Sequence, residues 1–344
     1  MRAGQLIAAA KKAQAEDVSE LEKRARKLLH GRIVGFVTLC DRLDISPARG
    51  RQLVEKLKLD GYNLHIKESE VSLESEIPVL PPIEIDSNRF FDGKWMRFGA
   101  MGDTHLCNRH ARLDVLKALY DIYLREGITT VLHTGNIVDG ECRFNRHELL
   151  TRSGIDAQLE YLMNEYPVRK GIETWFVTGD DHEGWWNQRE GINIGQVMQD
   201  YADRCGRKDL KWIGHMERDI YLKAKAGRTW LRVTHPGGGT AYAISYATQK
   251  IVESYQGGEK PHIGLFGHYH KFERGYPREV HVVQTGCVED QTPFMRKKKL
   301  QAMVGGCIIE FHQAPDGAVH RFRDEWIPFF DRKCYETKDK FRTW

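Results

Sequence analysis

The stretch "ETWFVTGDDHEGWW", Glu173 to Trp186, joins an apolar run of the kind that fills a buried strand to a tip holding Asp180, Asp181, His182 and Glu183. Ionisable groups gathered at the end of a core strand are accounted for if they hold a cation. A solvated acidic turn would have the same composition. The other strand tips decide between these readings.

Four more apolar runs end in the same way: "WMRFGAMGD" from Trp95, "TTVLHTGN" from Thr129, "TWLRVTHPGGG" from Thr229 and "PHIGLFGHYH" from Pro261. The tips carry, in chain order, Asp103-Thr104-His105, Gly135-Asn136 with Asp139, Asp181-His182-Glu183, His235, and His268-Tyr269-His270. Imidazole and carboxylate suit divalent manganese, iron or zinc, and one residue between two ligands lets both project from a tight turn. A single DxH or HxH is more often a surface turn, but an ordered series at strand ends points to a metal centre. Between the early runs lie amphipathic stretches such as "ARLDVLKALYDIYLREG", Ala111 to Gly127, where Leu113, Leu116, Leu119, Ile122 and Tyr123 recur at helical spacing. Alternating strand and helix predicts an α/β core with its ligands at the carboxyl ends of the strands.

The ordered set "GDTH", "GNIVD", "DDHE", "THPGG" and "GHYH" resembles the signature of the calcineurin-like metallophosphoesterases, and the resemblance spans roughly Met96 to His312. It implies a four-layer αββα sandwich, two sheets flanked by helices, with two metals at the sheet ends. Carried over by position, it assigns Asp103, His105 and His270 to one metal and Asp181, His235 and His268 to the other, with Asn136 at the bridging position. It makes His182 the general acid or transition-state stabiliser. Two such ions would acidify a water and clamp the phosphate during in-line attack. Asp139 and Glu183 are expected behind the ligands, orienting them, with a solvated acid as the alternative for Glu183.

The chain departs from that signature at two positions. Asn136 stands where the family has a bridging aspartate, and Asp181 where the family has asparagine. An amide oxygen brings no charge to screen two dications, whereas Asp181 restores it from another strand. The expectation is an active site with redistributed ligands, in which Asp181 shares the catalytic role with His182. A single-metal enzyme, a degenerate site and an inactivating substitution at Asn136 stay open.

Composition sets the wider limits. The 344 residues are 41% hydrophobic and 29% charged, enough for a substantial core. No apolar run approaches the roughly 18 residues of a membrane span, and "LIAAA" near the start is too short for a signal-peptide core. A cytoplasmic protein with no membrane partner is expected. Seven cysteines without a CxxC pair fit reduced thiols better than a disulfide framework or a zinc ribbon. A net charge of +4 permits an acidic partner without requiring one.

Ahead of this core, residues 1–75 are expected to form a separate domain, joined by a proline-containing linker over 76–94 ("EIPVLPPIEI" at its start) to a catalytic domain over 95–344. "TLCDRLDIS" predicts a short helix capped by Thr38. "SPARGRQLVEKLKLDGY" predicts a second helix, with Ser46 as N-cap, Pro47 in the first turn and Gly61 as the stop. "YNLHIKESEVSL" alternates about Glu68-Ser69 as a hairpin does. The whole resembles a winged helix-turn-helix, whose second helix would enter a major groove, with Arg49, Arg51, Lys56 and Lys58 against phosphates or base edges. Such folds also dock proteins or a second copy of the chain, and a basic helix face can be merely solvated. "FMRKKKL", Phe294 to Leu300, is a second basic run, although such a run is more often a solvated face. Trp185 and Trp186 could stack on bases, although at least one is expected in the core, and "HPGGGTAYA" could bring backbone amides to a phosphate, although a glycine run alone is more often a flexible turn.

Together these features predict a metal-dependent phosphodiesterase acting on DNA, similar to the repair-nuclease branch of the family. Its cofactors would be two divalent transition ions, manganese first, with iron, zinc or nickel as alternatives. Two other functions remain: a phosphomonoesterase or cyclic-nucleotide phosphodiesterase with a protein-docking winged helix, and a DNA-binding regulator whose metallophosphoesterase domain has lost turnover.

Overall fold

The computed structural model describes residues 20–30, 32–67, 69–73, 77, 79–142, 147–239 and 243–329. The chain divides into two compact units, Met1–Ile77 with Trp186–Val197, and Pro78–Trp185 with Met198–Trp344.

In the first unit a helix over residues 20–29 (α1) precedes β1 (Ile33–Gly35), α2 (Phe36–Leu43), α3 (Pro47–Leu59), β2 (Leu64–Lys67) and β3 (Glu70–Leu73). The strands form an antiparallel sheet of order β1-β3-β2. Each element contributes its apolar stripe to one core. Leu21, Ala25 and Leu29 come from α1, Leu39 and Leu43 from α2, Leu53, Val54 and Leu57 from α3, and Val71 and Leu73 from β3. The Ser46 side chain accepts from Arg49 N, and Pro47 opens α3, as its sequence predicts. The preceding helix differs: α2 starts at Phe36 with Gly35 as N-cap, so Thr38 lies inside the first turn. Pairing of Gly35 with Glu70 fixes where the chain leaves the sheet, and that outweighs the local capping preference of Thr38.

The second unit opens with β4 (Ile83–Asp86) and a 3₁₀ turn over Ser87–Phe90, both within the stretch expected to be a linker. Then follow β5 (Met96–Met101), α4 (Leu113–Arg125), β6 (Thr130–His133), α5 (Ile155–Glu165) and β7 (Glu173–Thr178); next come α6 (Trp185–Glu190) and α7 (Ile194–Arg204), of which residues 186–197 belong to the first unit, and then β8 (Leu210–His215), β9 (Glu217–Lys223) and β10 (Arg228–Thr234). The chain continues through α8 (Tyr246–Ser254), β11 (Ile263–Phe266), β12 (Phe272–Gly275), β13 (His281–Thr285), α9 (Pro293–Lys298), β14 (Val304–Gln313) and β15 (Val319–Phe329). Two six-stranded sheets result, of order β15-β14-β5-β6-β7-β8 and β12-β13-β11-β10-β9-β4. Strands β5 to β8 pair in parallel, as do β10, β11 and β13, so their carboxyl ends share one edge within each sheet.

Alternation along the strands builds the core between the sheets: Phe98 and Ala100, Trp175 and Val177, Ile220 and Leu222, Leu231 and Val233, Ile263 and Leu265, Ile309 and Phe311. The outer faces carry helices. Tyr123 of α4 lies so close to the first sheet that a Cβ on Gly306 would collide with its hydroxyl, and Val252 of α8 packs with Phe266 and Val282 of the second sheet and with Val280 just before β13. This is the αββα sandwich that the sequence resemblance implies. Among the described residues no helix is long and apolar enough to cross a membrane. The described cysteines are free, and all but Cys205 are buried.

Candidate metal centre

Among the described residues, the tips of β5, β6 and β7 in one sheet and of β10 and β11 in the other supply the candidate ligands. Local backbone geometry is unusual there. Asp103, His105, Asn136, His268 and His270 all have positive φ, between 43° and 72°. Non-glycine residues rarely hold this conformation, and it concentrates where function over-determines the backbone. Hydrogen bonds enforce it: Asp103 N donates to Gly135 O at 2.9 Å, His105 N to Asn136 O at 3.0 Å, and His268 N to Asp103 Oδ2 at 2.8 Å.

Three groups of ligand atoms come together: Asp103 with His105 and His270, Asp181 with His235 and His268, and His105 with Asp139 and His182. His235 Nδ1 lies 2.8 Å from Thr134 O, which places a proton on Nδ1 and leaves Nε2, buried and without a hydrogen bond, as the nitrogen that would face a cation. His105 Nδ1 is held by Asp139 Oδ1 at 3.0 Å, and its Nε2 faces His270 Nε2 at 3.2 Å. Two imidazole nitrogens at that distance repel unless a proton or a cation lies between them. Asp103 Oδ1 and Asn136 Oδ1 are likewise buried without a hydrogen bond. Orphaned lone pairs of nitrogen and oxygen, all converging, fit divalent ions.

The charges respond to this crowding. Burial opposes charge on His105, yet Glu289, Asp103 and Asp139 raise it to about 10. His235 rises to about 9 against burial, through Asp181 and Asp103. Burial disfavours the Asp103 and Asp181 carboxylates too, but the neighbouring imidazoles hold both well below the usual carboxylate range. Bound cations would take the place of the protons that these histidines otherwise keep.

Asn136 and Asp181 are neighbours: Asn136 Nδ2 donates to Asp181 Oδ1 at 3.3 Å, and the two Asp181 oxygens lie 3.3 Å from His235 Nε2 and 3.2 Å from His268 Nδ1. The Asp181 carboxylate therefore sits beside the amide whose position it was expected to compensate. His182 packs edge-on against His105, with centroids 4.3 Å apart, and its Nδ1 is 3.2 Å from Asp139 Oδ1. Its side chain keeps 18% exposure, against 1% for His105, so its ring can meet an incoming group.

Glu183 is not a solvated acid. It is fully buried, and its carboxylate accepts from the amides of Asn136 and Gly179 at 3.0 Å and of Val138 at 3.1 Å. It binds the β6 and β7 tips to each other rather than orienting a histidine ring, and burial lifts its pKa to about 7. Gly140 completes that junction, since a Cβ there would collide with the His182 carbonyl. Asp139 does stand behind His105, and it is itself held by Asn108 Nδ2 at 3.0 Å.

Two neighbours were not anticipated. Glu289, buried and pushed up to about 7 by burial first, lies 3.8 Å from His270 Nδ1, and Cys142 Sγ is 3.7 Å from His182 Nδ1. A signal for the first exists in "HVVQTGCVED", where another apolar strand stops at glycine before a pair of acids. Trp186 is buried and Trp185 partly so. Residues 240–242 of the glycine run lie outside the described residues.

Arg49, Arg51, Lys56 and Lys58 are exposed on α3 in the first unit. Lys56 pairs with Glu22 at 2.7 Å and Asp60 at 2.9 Å, and Lys58 with Glu55 at 3.7 Å. Exposed pairs of this kind contribute only about 0–1 kcal/mol, so they do not withhold either lysine from a phosphate.

No family model and no curated protein matches the chain. Among solved structures, an archaeal phosphodiesterase is 13% identical, covering 67% of this chain and all of its own at a TM-score of 0.35. A conserved uncharacterised protein from Streptococcus pneumoniae TIGR4, described as a predicted phosphoesterase, is 15% identical over 68% of this chain and 97% of its own, with a TM-score of 0.32. Zinc-bound Vps29 from Entamoeba histolytica is 16% identical over 68% of this chain and 100% of its own, with a TM-score of 0.31.

Proposed function

We propose that this chain is a metal-dependent phosphodiesterase of the calcineurin-like type, cleaving DNA at a centre that holds two divalent transition ions. The observation that carries the reading is the meeting of Asp103, His105 and His270 with Asp181, His235 and His268, with buried lone pairs aimed inward. When bound, such ions supply Lewis acidity, an acidified water and charge to match the developing phosphorane. The chain's own part is to orient the ligands. Thr134 and Asp139 fix the His235 and His105 tautomers, and Glu183 holds the β6 and β7 tips in register. His182 is placed to hold a proton near a leaving oxygen. Burial opposes its charge, but Cys142, Asp139 and Asp181 raise it well above the ordinary imidazole range.

Exhaustive chelation is expected to abolish hydrolysis of a generic phosphodiester and of labelled DNA, and added manganese to restore both. Far-UV circular dichroism should hardly change, because a large α/β core does not depend on metal as a zinc finger does. Full turnover after chelation would overturn the metal-centre reading. Preference for a phosphomonoester over both diester substrates would favour the monoesterase alternative.

What supports DNA as substrate is the first unit, whose order of helix, strand, two helices and hairpin resembles a winged helix-turn-helix, in which Ser46-capped α3 would be the groove-reading helix. Arg49→Ala with Arg51→Ala is expected to weaken DNA binding and reduce the slope of log affinity against log salt by about two units, one per lost phosphate contact. An unchanged slope in a fluorescence-anisotropy titration would point instead to a protein-docking role. Asn136 favours a second reading, a DNA-binding protein without turnover, because a neutral amide stands where an anion is needed between two dications.

A further inference from the structure

We propose that the basic segment Arg296–Lys299 is a second nucleic-acid contact, holding the phosphodiester backbone that runs on from the metal centre. The proposal rests on the DNA reading above and adds a binding surface to it. Helix α9 lies in the excursion between β13 and β14, and both ends of that excursion meet His270. Glu289 at its start lies 3.8 Å from His270 Nδ1, and Met303 N at its end donates to His270 O at 2.8 Å. A basic run that looks remote in sequence is thus anchored twice at a candidate metal ligand.

The segment is also well held. Thr292 Oγ1 accepts from Met295 N at 3.2 Å, Met295 is buried, and Lys299 closes the helix in the left-handed conformation. Gln291 Nε2 donates to Leu300 O at 2.6 Å, and buried Arg112 grips Asp290 at 2.8 Å. On this support Arg296, Lys297, Lys298 and Lys299 are all exposed, and none pairs with a carboxylate among the described residues. Four adjacent like charges repel, and a polyanion relieves that repulsion.

The test uses the full chain, freed of metal by chelation so that binding is read without turnover, and a fluorescein-labelled duplex with a single-stranded overhang. In Arg296→Gln with Lys297→Gln and Lys298→Gln, affinity is expected to fall at least about tenfold and the salt slope to drop by about two to three units. The charge-preserving triple Arg296→Lys, Lys297→Arg, Lys298→Arg is expected to bind like the parent, which separates charge from folding. If the glutamine triple binds like the parent while Arg49→Ala with Arg51→Ala weakens binding, this contact is wrong and the DNA reading stands. If the parent chain itself fails to bind, both are overturned.

Discussion

Replacing His182 with alanine is expected to lower turnover by about 10²- to 10⁴-fold with metal content unchanged. That range corresponds to about 3–5 kcal/mol of lost transition-state stabilisation. The expectation follows from where the ring sits. Nδ1 is within 3.2 Å of Asp139, which orients the imidazole and favours its charged form, while part of the side chain stays open to solvent. Asp139 is shared with His105, so removing His182 leaves the Asp139–His105 bond in place and Asp103 and His270 undisturbed. A second readout separates catalysis from support. Against burial, Cys142, Asp139 and Asp181 raise the ring's pKa, and a proton-donating ring is lost as the pH rises through that pKa, so the alkaline limb of the rate profile should vanish in the variant. Loss of bound metal from His182→Ala would instead make this residue a ligand, a role that its grouping with His105 and Asp139 also permits.

The strand tips were legible because two patterns coincide there: an apolar run that ends abruptly, and ligand-type residues at the end. The division of these strands between two sheets was not, since β5, β6 and β7 lie in one sheet and β10 and β11 in the other, and pairing of distant strands leaves no trace in periodicity. Strand β4 was hidden for a different reason. Prolines ahead of it read as linker, yet Ile83 and Ile85 alternate with Glu84 and Asp86, and an edge strand tolerates proline at its start. Glu183 shows the limit for the site itself. Its three amide partners come from two loops, at Asn136, Val138 and Gly179, so its role exists only after the β6 and β7 tips have met. The strand ending in "GCVED" hints at Glu289, but its approach to His270 depends on β13 lying beside β11, which periodicity does not reveal.

Asn136 and Asp181 give the second large effect. Their side chains touch, Nδ2 to Oδ1 at 3.3 Å, and Asp181 also reaches His235 and His268, so one carboxylate serves the position that an aspartate at 136 would otherwise occupy. Asp181→Asn is expected to leave Asp103 as the one anionic ligand facing two dications and to release at least one ion, read by elemental analysis after desalting. In Asn136→Asp with Asp181→Asn the charge returns from the neighbouring strand, about 3 Å away, and metal binding should recover. The two substitutions should therefore be strongly non-additive, since both act on the same pair of ions. Single Asn136→Asp places two anions side by side in a buried site and should raise metal affinity without a large gain in turnover. The opposite pattern would sink compensation: a gain of orders of magnitude from Asn136→Asp alone, with Asp181→Asn almost silent. Asn136 would then be the lesion that stops turnover, and the protein would act on DNA by binding it.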